Sequence, residues 1–416
     1  HINTGVAGWW GDLGEPEIHP SDVLHLWGKA EMVHNIYAHY WSKTLADGYR
    51  TDFPKQRLFN LNRSGFAGSQ RFSVFPWTGD VSRSWVGLQA QLPIMLSMSL
   101  SGMAYTHSDL GGFAGGVADP ELYVRWLQMG VFSPIFRPHG SKIPSEPVMW
   151  DAHTQELSMK AIRLRYSLLP YIYTLAWKNA TEGLPLVRPV WYDGTSGVDG
   201  LGIDDAFFFG ADLLVAPIMK AQQHTRRVYL PRGNWYEFRG TAKFVGDSWV
   251  EVPVVEDQIP VFARGGSFVP MLNRQIQSTA TYDVSSLQLH YYLGSKGHVA
   301  YSLFDDDGVT EGTLKYRNYQ LLNFEMDELP NELLFAMDRD GEFPGSTLVH
   351  EMELVLHGVS SPPTEVRYGD KLLAKEPYLK RFGNAQHAWC YDEISASLFI
   401  RFVYLGVGKQ TVRIVR

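Results

Sequence analysis

The 416-residue chain carries 37 basic against 44 acidic side chains, a net charge of −7, so it lacks the basic footprint that a nucleic-acid partner requires. Its 45% hydrophobic and 19% charged content describe globular domains, with chain enough for two or three, and no apolar run approaches the ~20 residues of a membrane span. A single cysteine, Cys390, excludes an internal disulfide framework and a cysteine-built metal centre, and is compatible with the cytoplasm and with export alike. The 13 Trp, 21 Tyr and 22 Phe supply more flat faces than cores normally ask for, which suits stacking on sugar rings, although core filling is the default fate of most of them. A neutral small molecule is the partner this composition favours.

The chain opens on His1-Ile2-Asn3-Thr4-Gly5, with no Met and no signal-peptide core ahead of its first apolar run, and reads as starting inside a domain. Strand and helix then alternate to about residue 183. A strand from Ile2 to Trp10 ends at Asp12, and a helix capped by Ser21 carries Val23, Trp27, Ala30, His34, Tyr37, Trp41 and Leu45 at steps of three and four. Strands follow at Arg57 to Asn62 and Phe72 to Trp77, then a helix from about Val81 to Ser97. A strand over Met103 to His107, a helix over Pro120 to Val131 and a strand over Ser133 to Arg137 come next. The last helix, Ala152 to Ala180, is kinked by Pro170.

Each strand ends in a polar or charged residue: Asp12, Arg63, Asp80, Asp109 and His139. A βα-barrel builds its active site at this end of its strands, and five strands do not close an eight-stranded barrel, so three are expected upstream of His1. From residue 184 onward, short β runs separated by Gly, Pro and Asp indicate two β-sandwiches, one over 184–275 and one over 276–416, with a boundary near 275.

Trp9-Trp10-Gly11-Asp12 and Trp77-Thr78-Gly79-Asp80 each set one aspartate behind Trp and Gly where a strand stops. Two carboxyl groups at nearby strand ends suit glycoside cleavage. In its retaining form one attacks the anomeric carbon and the other, protonated, hands a proton to the leaving oxygen from about 5 to 5.5 Å away. The proton donor requires burial or a like charge, and Asp80, behind Phe75-Pro76-Trp77, is expected in the enclosed, aromatic-walled position. Arg63 offers a fork of donors for a carboxylate or sugar hydroxyls, and Asp109 and His139 suit hydroxyl binding. Each also has a plainer reading: a barrel-end ion pair for Arg63, a turn cap for Asp109, a backbone-bonding loop residue for His139. Asp305-Asp306-Asp307-Gly308 lacks the ligand spacing of a calcium loop and reads as a tight hairpin turn. The segment 111–116 lacks the Lys of a P-loop and reads as a mobile active-site loop. No metal or cofactor is expected.

At these motifs the chain strongly resembles glycoside hydrolase family 31, a family of retaining α-glucosidases and α-xylosidases. The resemblance rests on Trp10 to Glu15, Arg63 to Gly68, Trp77 to Asp80, His107 to Phe113, Arg137-Pro138-His139, Phe209 to Pro217 and Asp306-Asp307-Gly308. It implies the C-terminal part of a (β/α)8 barrel followed by two all-β sandwiches, with an N-terminal remainder of the same enzyme as a needed partner. It implies Asp12 as nucleophile and Asp80 as general acid/base, with Trp10, Arg63, Trp77, Asp109, Phe113 and His139 lining the sugar subsite. Many relatives carry Met-Asn after the nucleophile where this chain has Leu13-Gly14, and here 68 positions separate the two aspartates. Both features look most like bacterial oligosaccharide 4-α-glucosyltransferases. The expected substrates are an α-gluco-oligosaccharide donor and acceptor, and the expected setting is the periplasm, cell envelope or exterior of a bacterium. A plain α-glucosidase, or an α-galactosidase or α-xylosidase, is the alternative within the family. A non-catalytic carbohydrate-binding protein is the alternative outside it, and the presence of both aspartates speaks against that.

Overall fold

In the computed structural model, which describes residues 1–195, 197, 199–294, 297–383 and 385–416, short parallel strands alternate with helices at the start of the chain. Trp9–Gly11 (β1), Asn60–Asn62 (β2) and Val74–Pro76 (β3) pair in parallel in that order, Trp9 opposite Asn60 and Asn60 opposite Val74. Single parallel bridges continue the ladder, Trp77 to His107 and Leu110 to Pro138. Parallel neighbours need crossovers, which Ala30–Asp52 (α1), Trp85–Leu100 (α2) and Pro120–Gly130 (α3) supply. The side chain of Ser84 caps α2 by accepting from the Gly87 amide at 3.0 Å, and Asp119 caps α3 from the Leu122 amide at 3.1 Å with Pro120 in the first turn. These are successive βα units of a TIM-type barrel, with the strand ends gathered on one face.

The strands are shorter than the apolar runs suggest. Ile2–Thr4 is a 3-10 turn, Met103 to His107 contributes a single bridge at His107, and the bridge at the end of Ser133 to Arg137 falls on the next residue, Pro138. Ser21 caps no helix: Leu24–His25 and Gly28–Lys29 form a small hairpin, and α1 starts only at Ala30. The long last helix is two, Ala152–Ser167 (α4) and Leu169–Glu182 (α5), the break falling at Leu168 because Pro170 enters the first turn of α5.

After α5 the chain is β-rich. One six-stranded sheet runs Lys243–Val245, Asn234–Glu237, Val261–Arg264, Leu213–Val215, Phe207–Phe209, Val187–Pro189. A second starts at Ser267–Leu272 and Ser286–Tyr292 and continues through His350–His357, Ser397–Tyr404, Ala388–Asp392 and Ala374–Lys375. A third, from Gly297–Asp305 through Tyr319–Glu328 and Glu332–Glu342, packs on the second. Burial alternates along Tyr319–Glu328, as a strand with one face on a core demands. The chain changes sheet at Gly265-Gly266, earlier than a boundary near 275, because Ser267–Leu272 pairs antiparallel with Ser286–Tyr292. Buried side chains from α2, α3, α5 and all three of these sheets form one continuous core. Among the described residues no helix is long and apolar enough to cross a membrane.

The acidic run after Asp305 is no free hairpin turn. The fully buried Asp306 carboxylate pairs with the Arg57 guanidinium and accepts from the Tyr173 hydroxyl, while Arg57 also donates to the Thr313 hydroxyl at 2.8 Å and the Thr310 carbonyl at 2.9 Å. The Arg57 amide reaches the Val309 carbonyl at 3.0 Å, so the distal β domain grips the chain just ahead of β2 and Arg63. Removing one partner of a buried pair leaves a stranded charge. Arg57→Ala is therefore expected to cost about 3 kcal/mol of stability, read as a lowered urea midpoint.

A second prediction comes from the distal β domain. His290 Nδ1 and His357 Nε2 lie 2.8 Å apart, with Gln288 Oε1 2.8 Å from His290 Nε2. Burial pushes His357 down to about 4, and burial with the neighbouring His357 pushes His290 the same way. The folded state thus holds these imidazoles neutral while an unfolded chain would protonate them below its ordinary pKa of ~6.5. Their contribution is complete above that pH and is lost as pH falls from it toward 4. Urea midpoints are expected to drop between pH 6.5 and 4, and less steeply in a His357→Gln variant.

Candidate active site

The strand ends set Asp12, Arg63, Asp80, Asp109 and His139 on the same face as the end of β1. Asp12 follows β1 directly and is half-buried, its Oδ1 accepting from the Leu13 amide at 3.0 Å and lying 3.5 Å from Arg63 Nε. Arg63 follows β2, and its Nη2 also pairs with Glu15. Burial works against the Arg63 charge, but Glu15 and Asp12 outweigh it and hold the guanidinium above its ordinary value. A cation fixed between two carboxylates is the arrangement found here, so the plain ion-pair reading of Arg63 and the site reading coincide.

Asp109 is fully buried, with Oδ1 paired to Arg137 Nη2 and Oδ2 left without a hydrogen-bond partner. Burial pushes its carboxyl up to about 7; Arg137 opposes that, and the Asp80 and Asp12 charges add to it. Burial likewise drives Arg137 below its ordinary value despite the pairing. His139 is held below the usual imidazole range by burial and by Arg137, while Asp80 and Asp12 pull the other way. Asp12 and Asp80 therefore both act on Asp109 and His139, which brings the four to one locality. The Asp109 side chain caps no turn here; its carboxylate serves Arg137.

Rings line the same locality. Trp10 is 55% exposed and packs against Trp77 and His139, each with centroids 5.8 Å apart, and Phe113 packs on His139 at 5.5 Å. Trp77 is buried beneath Trp10, with the Arg137 guanidinium 5.5 Å from its ring centroid. All eight sequence-derived candidates thus belong to this face. Asp80, however, is exposed and not enclosed by aromatics. Gly79, at φ 75°, turns the chain outward after β3, while Phe75 packs on Phe59 and Tyr105 away from it.

The glycine-rich segment 111–116 is tied down rather than loose. The buried Arg83 guanidinium donates to the carbonyls of Gly115 and Phe113 at 2.8 Å each and of Ser141 at 3.2 Å, which fixes Phe113 beside His139. Arg83 escapes sequence reasoning because it ends no strand, and Glu15 and Arg137, though they stand in the family motifs, receive no task of their own from it. Arg137 does stand in the Arg-Pro-His triplet, where an Arg two residues before a candidate ligand is a usable signal. Among the described residues no cluster of His, Cys, Asp or Glu suits a metal ion.

Comparison with known proteins gives this geometry a lineage. The model of the glycosyl hydrolases family 31 TIM-barrel domain matches residues 1–175, and that of the glycosyl hydrolase family 31 C-terminal domain matches residues 183–269. An alpha-xylosidase of Saccharolobus solfataricus is 35% identical over 389 residues, covering 89% of this chain and 52% of its own. Neutral alpha-glucosidase C of Mus musculus is 33% identical over 380 residues, covering 88% and 41%. A GH31 dextranase of Flavobacterium johnsoniae, solved with glucose, superposes with a TM-score of 0.92 at 26% identity over 100% of this chain and 54% of that one. A cycloalternan-forming enzyme of Listeria monocytogenes, solved with a pentasaccharide substrate, gives 0.83 at 26% identity over 99% and 38%. The chain spans about half the length of the curated relatives it matches. With both its barrel and its first β domain matched by family models and its whole length by solved members, the chain belongs to glycosyl hydrolase family 31.

Proposed function

We propose that this protein acts on α-glucosides by retaining double displacement, with Asp12 as nucleophile and Asp80 as general acid/base. The observation that carries the reading is that two carboxylates stand at the ends of parallel strands two places apart, on the face where the buried Asp109 and the ring-flanked His139 end the next ones. In the first step Asp12 attacks the anomeric carbon as Asp80 gives its proton to the departing glycosidic oxygen, leaving a β-glucosyl ester on Asp12. In the second, Asp80 takes a proton from the incoming hydroxyl, which attacks the same carbon and frees Asp12. Asp109, His139 and Arg63 hold ring hydroxyls, and Trp10, backed by the buried Trp77, and Phe113 flank the ring with apolar faces. The partner class is an α-gluco-oligosaccharide.

Asp12→Ala is expected to abolish covalent labelling by a fluorinated α-glucosyl donor, since no nucleophile remains. Label trapped on another residue would refute the assignment. Asp80→Ala keeps measurable turnover on an α-glucosyl fluoride, whose leaving group needs little protonation, while losing about 100-fold or more on maltose. Equal losses on both donors would remove Asp80 from the role.

The finer proposal is transfer of one glucosyl unit between α-1,4-gluco-oligosaccharides. It is supported by the Leu13-Gly14 sequence beside the nucleophile and by the likeness to a solved enzyme whose description names cycloalternan formation. An acceptor must compete with water at ~55 M, which demands oriented binding. Phe66, 43% exposed on the loop after Arg63, offers a face for it, whereas Trp77 is buried and Phe75 packs inward and so neither is free for an acceptor. Hydrolysis is the competing reading, favoured by relatives named as alpha-glucosidases. With millimolar maltotriose, early maltose plus maltotetraose marks transfer, and glucose released one-for-one with bond cleavage marks hydrolysis.

A further inference from the structure

Glu15 has no part in the double displacement, yet its carboxylate is the nearest competitor for the cation that faces Asp12. Arg63 presents Nε and Nη2 side by side along one edge, a fork that a single carboxylate could fill. Its Nη2 pairs with Glu15 Oε1, and its Nε stands 3.5 Å from Asp12 Oδ1, longer than a formed hydrogen bond. An unopposed guanidinium beside a carboxylate prefers the two-pronged geometry, in which both oxygens are engaged. Asp12 escapes that arrangement because Glu15 claims one prong.

The backbone that carries Glu15 is fixed from below. Gly14 lies flat against Trp41 of α1, so closely that a Cβ there would fall 1.7 Å from the indole ring. Leu13, at φ 57°, bends the chain sharply between Asp12 and Gly14. The second Glu15 oxygen, Oε2, is buried and makes no hydrogen bond, so the Arg63 contact is the only one that holds this carboxylate among the described residues. The other charged groups of this locality are Glu17, which acts on Arg63, and Asp80, Asp109, Arg137 and His139, of which Asp109 and His139 feel Asp12.

We propose that Glu15 is a positioning residue for the nucleophile: by occupying Nη2 of the Arg63 fork it leaves only Nε facing Asp12 and keeps a second carboxylate oxygen free for attack on the anomeric carbon. The inference rests on the assignment of Asp12 as nucleophile. It gives the Glu of the nucleophile motif a task distinct from sugar binding, and it makes Gly14 and Trp41 the support of that task.

The test is Glu15→Gln in the full-length protein. The uncharged amide releases Arg63 to pair with both Asp12 oxygens and removes a negative charge from beside it. Both changes favour the ionised nucleophile and weaken it as an attacking group. Covalent labelling is expected to stay on Asp12 but to slow about tenfold, and the acid limb of kcat/KM to move to lower pH by about one unit, with Tm little changed. Glu15→Asp keeps the charge on a shorter stem and is expected to fall between. An unmoved acid limb with an unchanged labelling rate, or a limb that moves to higher pH, overturns the proposal, whatever happens to Tm. If Glu15→Gln fails to fold, the limb of Glu15→Asp decides on the same terms. Failure of the underlying reading shows separately, as wild-type protein labelled elsewhere than Asp12.

Discussion

The site depends on how few cations serve its acids. Asp12, Glu15, Asp80 and Asp109 stand about one strand-end face, and the guanidiniums that pair with them are Arg63 and Arg137. Each Arg is committed: Arg63 is divided between Asp12 and Glu15, and Arg137 lies under Asp109 and near the Trp77 ring. Asp109 cannot draw enough from one partly buried guanidinium to offset complete burial with two further acids nearby, so it titrates near 7 while an exposed carboxylate would not. A locality short of positive charge keeps a proton available and favours groups that donate hydrogen bonds, which is the character of sugar hydroxyls.

Such a balance requires that the cations do not wander. Arg63 follows a strand whose approach is clamped by the distal β domain through Arg57 and Asp306, and Arg83 laces the 113–115 backbone to Ser141. The β domains after the barrel thus do more than cover helices. Phe304 of the distal domain stacks on Trp177 of α5 and its amide donates to the Thr174 hydroxyl at 3.1 Å, so the contact is apolar and hydrogen-bonded at once.

What the sequence made legible was the placement of residues by strand ends. Asp12, Arg63, Asp109 and His139 were readable because period and polarity switch together where a barrel strand stops, and the structure sets them on one face. Asp80 was found by the same rule but given the wrong surroundings: one glycine with positive φ reverses the direction in which the next side chain leaves, and composition does not reveal φ. The hairpin before α1 was hidden because Val23 and Trp27 fall in phase with the helix that follows. Glu15, Arg83 and Asp306 were invisible as actors since their partners lie 48, up to 58 and 249 residues away respectively. Charged residues at that separation carry no periodic signal; only the folded chain pairs them.

The division of Arg63 also bears on the choice between water and a sugar acceptor. In the proposed double displacement both outcomes pass through the same ester on Asp12, and in the second step Asp12 is the leaving group. A guanidinium that stabilises the departing carboxylate speeds its release whichever nucleophile arrives, so Arg63 and Glu15 set the lifetime of the intermediate without selecting its fate. Selection must come from groups that touch the incoming hydroxyl, and in the proposed mechanism Asp80 is the one that meets it directly. Its exposure leaves the approach open to acceptors larger than water. Preference for transfer is then a matter of how well the surface around Asp80 orients a second sugar, because a bound, aligned hydroxyl gains an effective concentration that water at ~55 M does not match.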